Sequence, residues 1–248
     1  MNARAVLRSE WTKVGTLPWL WALPVGGVVT SIAASLMVCA AYGNVQDLFV
    51  RDPSLAVYYG LYFGQLAFVC FGVLLIGQEY NSGTIRGSLT AVPRRGLLYG
   101  SKLALGAGVG LAAGLACSAG CLLVGRATLW RAHVVWSDPA PVRGVVACAL
   151  YPALLMVFCL GATTMLRNLT AAMGLLVPAI FLGTNLLSGV PGARAVVQFL
   201  PDRAGQYAMR FADDPHTVYG HWTGLAVMAL WAAAAAYGGL RTLRGRDA

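Results

Sequence analysis

The sequence predicts an all-α integral membrane protein. It has six transmembrane helices, an N-terminal interfacial helix, a short surface helix between spans two and three, and short helices between spans five and six. Three observations predict this. Of 248 residues, 58% are hydrophobic and only 11% charged, whereas a soluble domain carries about 25% charged residues. Mean hydropathy is +0.67, which suits lipid rather than water. The apolar residues gather into six runs, each near the roughly 20 residues that cross a bilayer as helix. A single transmembrane domain, 1–248, follows.

A short helix precedes the first run, within residues 1–17. Leu7, Trp11 and Val14 share one face with Ala3 beside them, while Arg8, Ser9, Thr12 and Lys13 point away. That pattern predicts a helix lying in the membrane interface, with Leu7, Trp11 and Lys13 as its signature. The apolar run after it exceeds a signal peptide's core, so the first span is expected to be retained.

The six runs are Pro18–Tyr42, Val57–Gln78, Leu103–Gly125, Val145–Leu166, Ala171–Val190 and Trp222–Leu240. In lipid the backbone must pair within each segment, so each run reads as helix. Only Arg167 to Thr170 separates the fourth from the fifth, a tight hairpin, because burying Arg167 in the apolar layer is costly. In the third run Gly106, Gly110, Gly114 and Ser118 recur every fourth residue beside a second small ridge, Ala104, Gly108, Ala112, Ala116 and Gly120. Small faces let helices approach closely. Pro24, Pro152 and Pro178 predict kinks. All six cysteines, Cys39, Cys70, Cys117, Cys121, Cys148 and Cys159, lie in these runs and read as packing residues.

Orientation comes from Lys and Arg beside the span ends. With the N-terminus inside, Arg4, Arg8, Lys13, Arg86, Arg94, Arg95, Lys102, Arg167, Arg241, Arg244 and Arg246 fall on the inner side. The outer arginines are spread over longer loops, which predicts both termini inside. This bias accounts for the net charge of +9 without nucleic acid as a partner.

Between the second and third runs lies a polar insert, Glu79 to Lys102, reading EYNSGTIRGSLTAVPRRGLLYGSK. Asn81, Ser82 and Gly83 break the preceding helix, and Ser82 or Thr84 can cap a new one. Ile85, Leu89 and Val92 line one face at helical spacing, Pro93 stops the helix, and Arg94 and Arg95 form a basic rim. An apolar stripe edged with charge docks on lipid headgroups or in a partner's groove. On the other side, the segment 191–221 predicts two short helices on the outer leaflet, Ala193–Leu200 and Arg203–Ala212, broken by Pro201 and Pro215.

Ionisable groups are nearly absent from the apolar runs, which argues against a proton-relay carrier. Gln65, Phe68 and Asn185 are candidates for a substrate path, and Tyr58 and Tyr59 for an aromatic belt. Asp213, Asp214, His216 and His221 invite a metal-site reading, but their spacing fits no hydrolase pattern. Loop polarity is the simpler account, so no metal is expected.

The pattern E-Y-x-S-G-T-x-R-x-x-L-x-x-x-P-x-R over Glu79 to Arg95, with Lys102 at the next span, resembles the permease subunit of ABC transporters of the type-2, exporter class. The opening L-R-S-E-W-T-K, Leu7 to Lys13, and F-L-P-D-R-A-G, Phe199 to Gly205, are similar to the same family. The resemblance covers span number and loop lengths throughout the chain. It implies an elbow helix and a coupling helix that contact a separate ATPase subunit, two permeases working with two ATPases, and outer helices acting as a gate. The coupling element would be Glu79, Gly83, Thr84, Arg86, Leu89 and Pro93, with Glu79 and Arg86 as charge partners within it or with the ATPase. It further implies a multi-pass protein of the bacterial inner membrane exporting an amphiphile as a homodimer or with a similar permease. Neither lysine, Lys13 or Lys102, sits in a G-x-x-x-x-G-K-[ST] loop. ATP and magnesium would therefore belong to the partner, and no cofactor or catalytic residue is expected here. The alternatives are a non-transporting accessory or immunity protein and, less in keeping with the residues, a membrane metal hydrolase.

Overall fold

The computed structural model describes residues 3–41, 52–92, 94–129, 137–183, 186–187, 193–214 and 217–245. Within them all regular structure is helical. Helix α1 (Ala3–Gly15) turns at Thr16 and Leu17 into α2 (Pro18–Ala41), whose Pro18 opens the helix, where a missing N–H costs nothing. A one-turn helix α3 (Ser54–Val57) leads into α4 (Leu61–Asn81). Then follow α5 (Ile85–Ala91), α6 (Arg95–Thr128), α7 (Pro139–Leu166) and α8 (Leu169–Pro178). Helix α8 continues as a π turn, Ala179–Gly183. Two short helices, α9 (Arg194–Val197) and α10 (Pro201–Tyr207), precede the last, α11 (His221–Gly245).

Helices α2, α4, α6, α7 and α11 are each long and apolar enough to cross a membrane. The fifth expected span is different. Its apolar helix covers Leu169–Gly183, about 22 Å at 1.5 Å per residue, and Asn185 lies outside the described residues. Pro178 has no N–H for the helical ladder and its ring crowds the carbonyl a turn back; a π turn follows it directly. Helices α2 and α7 run through Pro24 and Pro152 without a break.

The α7–α8 hairpin is as tight as expected. Arg167 ends α7 in the left-handed region (φ 54°), and Asn168 caps α8 by accepting a hydrogen bond from Ala171 N at 3.0 Å. The Arg167 guanidinium lies 5.9 Å from the centre of the Tyr80 ring on α4. This hairpin therefore shares one end of the bundle with α1, α5 and the start of α6.

Helix α7 is the hub, packing against α6, α11 and α4. Lipid offers apolar helices no hydrophobic drive to associate, so close van der Waals contact must supply it. A methyl at Gly110 would come 2.5 Å from Ala153 Cα, one at Gly114 would overlap the Ala149 carbonyl, and Ser118 Oγ donates to Val145 O at 3.1 Å. The first small ridge of α6 is thus its seam with α7. The second ridge divides: Gly120 meets Ile32 of α2, whereas Ala104, Gly108, Ala112 and Ala116 are exposed. Gly161 sets α7 on the Ala235 backbone of α11, and Gly60 and Gly64 set α4 on Ser31 of α2.

Several expectations need correction. Tyr58 is buried, edge-on to Phe211 with ring centroids 6.2 Å apart, so of the expected belt pair only Tyr59 is exposed. The 193–212 helices are shorter than expected, and α10 packs against α7 and α11 with Ala204, Gly205 and Tyr207 buried. The third span starts earlier, at Arg95 rather than Leu103, which draws Lys102 into the helix and into the interior.

Gly114→Ala is expected to destabilise the protein by about 1–3 kcal/mol by forcing α6 and α7 apart. Gly108→Ala, whose methyl meets nothing within 4 Å, should leave stability unchanged or slightly raised. Thermal unfolding of both variants in the same detergent checks this.

Candidate functional site

The N-terminal helix has two faces, only one of which the amphipathic pattern revealed. Leu7 and Trp11 are exposed, as an interfacial helix requires, and Trp11 packs edge-on against Trp21 of α2 with centroids 5.4 Å apart. Val6, Glu10 and Val14, spaced one turn apart, are buried against the bundle. Val14 thus belongs to the inner face rather than beside Leu7 and Trp11. Lys13, expected to point away, reaches inward.

On that inner face four charges meet. The Lys102 ammonium lies 2.5 Å from Glu10 Oε2 and 2.8 Å from Glu79 Oε1. Lys13 Nζ lies 2.7 Å from Glu10 Oε1 and 3.2 Å from Glu79 Oε1. The Glu10 and Lys102 side chains are each 2% exposed, Glu79 13% and Lys13 47%. Two carboxylates and two ammonium groups leave no net charge, which lets them survive burial that one of them alone would not. The four residues come from three helices: α1 supplies Glu10 and Lys13, the last turn of α4 supplies Glu79, and α6, about two turns from its start, supplies Lys102.

The cluster also reaches the insert. Lys13 Nζ donates to Ser88 Oγ of α5 at 3.3 Å. Helix α5 starts after a turn in which Gly83 adopts φ 70°, a left-handed conformation glycine takes without strain. Ser82 Oγ donates to Gln78 O at 2.8 Å and lies 2.8 Å from Thr84 Oγ1. Thr84 occupies the N-cap position but makes no side-chain capping bond. The expected helix is therefore present at Ile85–Ala91, yet its apolar face is partly spent on its own chain. Ile85 is buried, and Val92 packs with Val6 of α1 and Leu98 of α6. The side chains of Arg86 and Leu89 are outside those described, as is Pro93. Among the described residues Glu79 takes Lys13 and Lys102 as its partners, where the resemblance pairs it with Arg86 or the ATPase.

A cavity of about 360 Å³ opens between α1, α4 and α5, lined by Glu10, Lys13, Gln78, Glu79, Ser88 and Lys102 among others. Glu79 Oε2 and Gln78 Nε2 are buried there without a hydrogen-bond partner among the described residues. The room and polarity suit hydration.

Burial pushes the Glu10 carboxyl up, but the Lys102 charge, followed by hydrogen bonds from Lys102 and Lys13, outweighs it and holds the group below the usual carboxylate range. Burial likewise lowers the Lys13 ammonium, and the Glu10 hydrogen bond and the Glu79 charge overcome it, leaving Lys13 raised. These directions set the pH window. A depressed Glu10 adds stability above its unfolded pKa, about 4.3, that is lost as pH falls through its folded value. A raised Lys13 adds stability below about 10.4 that is lost as pH rises through its folded value.

At the opposite end, Gln65 and Phe68 are fully buried. Phe68 packs against Gly27 of α2. Gln65 Oε1 accepts from Tyr151 Oη of α7 at 2.6 Å and from Gln206 Nε2 of α10 at 3.1 Å. Gln206 also lines a cavity of about 170 Å³ with Tyr58, Tyr59, Tyr62, Arg203 and Arg210. His221 stacks on Tyr207, centroids 4.7 Å apart, and lies 3.4 Å from the exposed Asp213. His216 lies outside the described residues, and among the described residues no three His, Cys, Asp or Glu groups could hold a metal ion.

No protein-family model matches the chain, and neither does any curated protein or solved structure it was compared with. The functional reading therefore rests on its residues. Of the sequence candidates, Glu79 and Lys13 are brought together, and Gly83 and Thr84 adjoin them in the turn. Glu10 and Lys102 were missed. A carboxylate inside an apolar stripe at positions 6, 10 and 14 needs a buried cation, and Lys102 beside the third run was a ready one.

Hydrogen exchange of residues 3–15, corrected for intrinsic rates, should show protection that is flat from about pH 5 to 9. It should be lost on acidification below the carboxylate range. Unchanged protection through pH 3 would show that Glu10 does not hold the helix.

Proposed function

We propose that this chain is the membrane-spanning subunit of an ATP-driven exporter, working with a separate ATPase and a second permease copy or a similar subunit. The observation that carries the reading is the four-charge cluster. It ties a surface helix (α1) and a surface insert (α5, through Ser88) to the ends of two long apolar helices, α4 and α6. An element pushed from outside the membrane needs such a link, because a soft joint would absorb the motion before the spans could respond. The resemblance of Glu79 to Arg95 to the coupling segment of type-2 exporters gives the source of the push: an ATPase closing on nucleotide.

In this reading α8 and the segment after it form the fifth of six crossings, both termini face the cytoplasm of a bacterium, and Lys and Arg near the span ends gather on the α1 side. The outer gate is α9 and α10, with Gln206 on Gln65 closing the bundle beneath the tyrosine-lined cavity. Exposed α5 residues and Arg86 and Leu89 meet the ATPase, while Glu10, Lys13, Glu79 and Lys102 transmit. The substrate is an amphiphile, in keeping with spans nearly free of charge.

Purification from native membranes in mild detergent tests the proposal. An ATP-hydrolysing polypeptide should co-purify in about equal amount, and Arg86→Glu with Leu89→Asp should reduce that ATPase activity at least about tenfold at unchanged membrane level. A folded chain that brings no ATPase, under conditions preserving other membrane complexes, would contradict it.

A further inference from the structure

At the α1 end of the bundle, three arginines from distant parts of the chain converge on one shallow cleft. Arg94 and Arg95 start α6, Arg244 ends α11, and with Gly96 and Leu97 they line it. Arg95 Nη1 donates to Leu243 O at 2.9 Å, fastening the two helix ends together. A methyl on Gly96 would lie 2.8 Å from Arg244 Nη2, so the guanidinium rests over bare backbone. We propose that this cleft binds the phosphate of an anionic membrane phospholipid.

Charge makes the case for an anion. Among the described residues, the carboxylates at this end are Glu10 and Glu79, and both are taken by Lys13 and Lys102. Among the described residues Arg94 and Arg244 form no ion pair, and both are exposed. Like charges gathered in one cleft repel unless an anion joins them, and guanidinium forks match phosphate oxygens.

Depth makes the case for a lipid. One exposed stripe of α11 runs through Leu230, Ala234, Tyr237, Arg241 and Arg244. It passes from aliphatic to aromatic to cationic, the order of acyl layer, interface and headgroup. Arg241 lies over the Tyr237 ring, 5.6 Å from its centre, and Arg244 sits about 10 Å further along the axis than Tyr237. An acyl chain along Leu230 and Ala234 would bring its phosphate to the arginines. Basic clefts between transmembrane helices are suited to anionic headgroups. The site depends on membrane embedding and not on the exporter reading, so its test stands whether or not an ATPase co-purifies.

Native mass spectrometry of the detergent-purified protein tests it, titrating phosphatidylglycerol, phosphatidylcholine and glycerol phosphate. Phosphatidylglycerol should be retained in preference to phosphatidylcholine. Arg94→Gln with Arg244→Gln should weaken its binding about 25-fold, roughly fivefold per arginine, and Arg126→Gln, exposed near the other end of α6, should not change it. If the double variant misfolds, Arg94→Gln alone should give the fivefold loss. Equal retention of the two lipids, or full binding by the folded variants, would overturn the proposal. Displacement of the lipid by glycerol phosphate at equal concentration would assign the cleft to a soluble phosphate and overturn its lipid source.

Discussion

The buried contact between Glu10 and Lys102 is the constraint on which the α1 end of this protein depends. Removing either one leaves the remaining three charges of the cluster unbalanced, and the effective penalty for an unmatched buried ion is several kcal/mol. Helix α1 has 13 residues, a length at which an isolated helix is marginal in water. It is held by two valines, the Glu10–Lys102 and Lys13–Glu79 ion pairs and a Trp–Trp contact. Since Lys102 also holds Glu79, and Lys13 holds both carboxylates and Ser88, the starts and ends of four helices share one set of charges. A displacement of any of them alters the electrostatics of the rest.

The remainder of the bundle is stiffened by a different means. The α6–α7 seam brings backbone onto backbone at Gly110 and Gly114, and α7 meets α11 the same way at Gly161. Contacts this close leave little room for sliding without separation, so α6, α7 and α11 behave as one block. Helix α1 and the α5 insert are attached to that block at its edge, by the charge cluster and by Val6 and Val92 packed on Leu98. Under the proposed function, this rigid block, with a charged joint at one end and the Gln65–Tyr151–Gln206 knot at the other, is what would carry a change from one surface to the other.

Much of this was legible in the sequence. The apolar runs, the Arg167 hairpin, the small ridge of α6 and the Ile85–Ala91 helix all follow from hydropathy, charge exclusion and turn chemistry, which are local properties. What escaped was non-local. Whether Lys102 ends an insert or enters a helix depends on whether carboxylates wait for it, and one of them is 92 positions away. The hydrophobic pattern of α1 placed Leu7 and Trp11 correctly on the exposed face. It could not show a second face, because Glu10 breaks the apolar stripe that Val6 and Val14 would otherwise announce. Tyr58 reads like Tyr59 in the sequence, and only the packing of Phe211 distinguishes the buried ring from the exposed one. The fifth span is blurred by Pro178, whose effect on the helix is a matter of degree that spacing alone does not set.

A double-mutant cycle between Glu10 and Lys102 tests the central claim most directly. Thermal or denaturant unfolding in one detergent would compare Glu10→Leu, Lys102→Met and the pair. The account predicts that each single change costs about 3–5 kcal/mol, since each leaves a buried charge unmatched, and that the double variant, in which Glu79 keeps Lys13, loses far less than the sum. Additive losses, or single variants as stable as the parent, would contradict it and leave the N-terminal helix without its anchor.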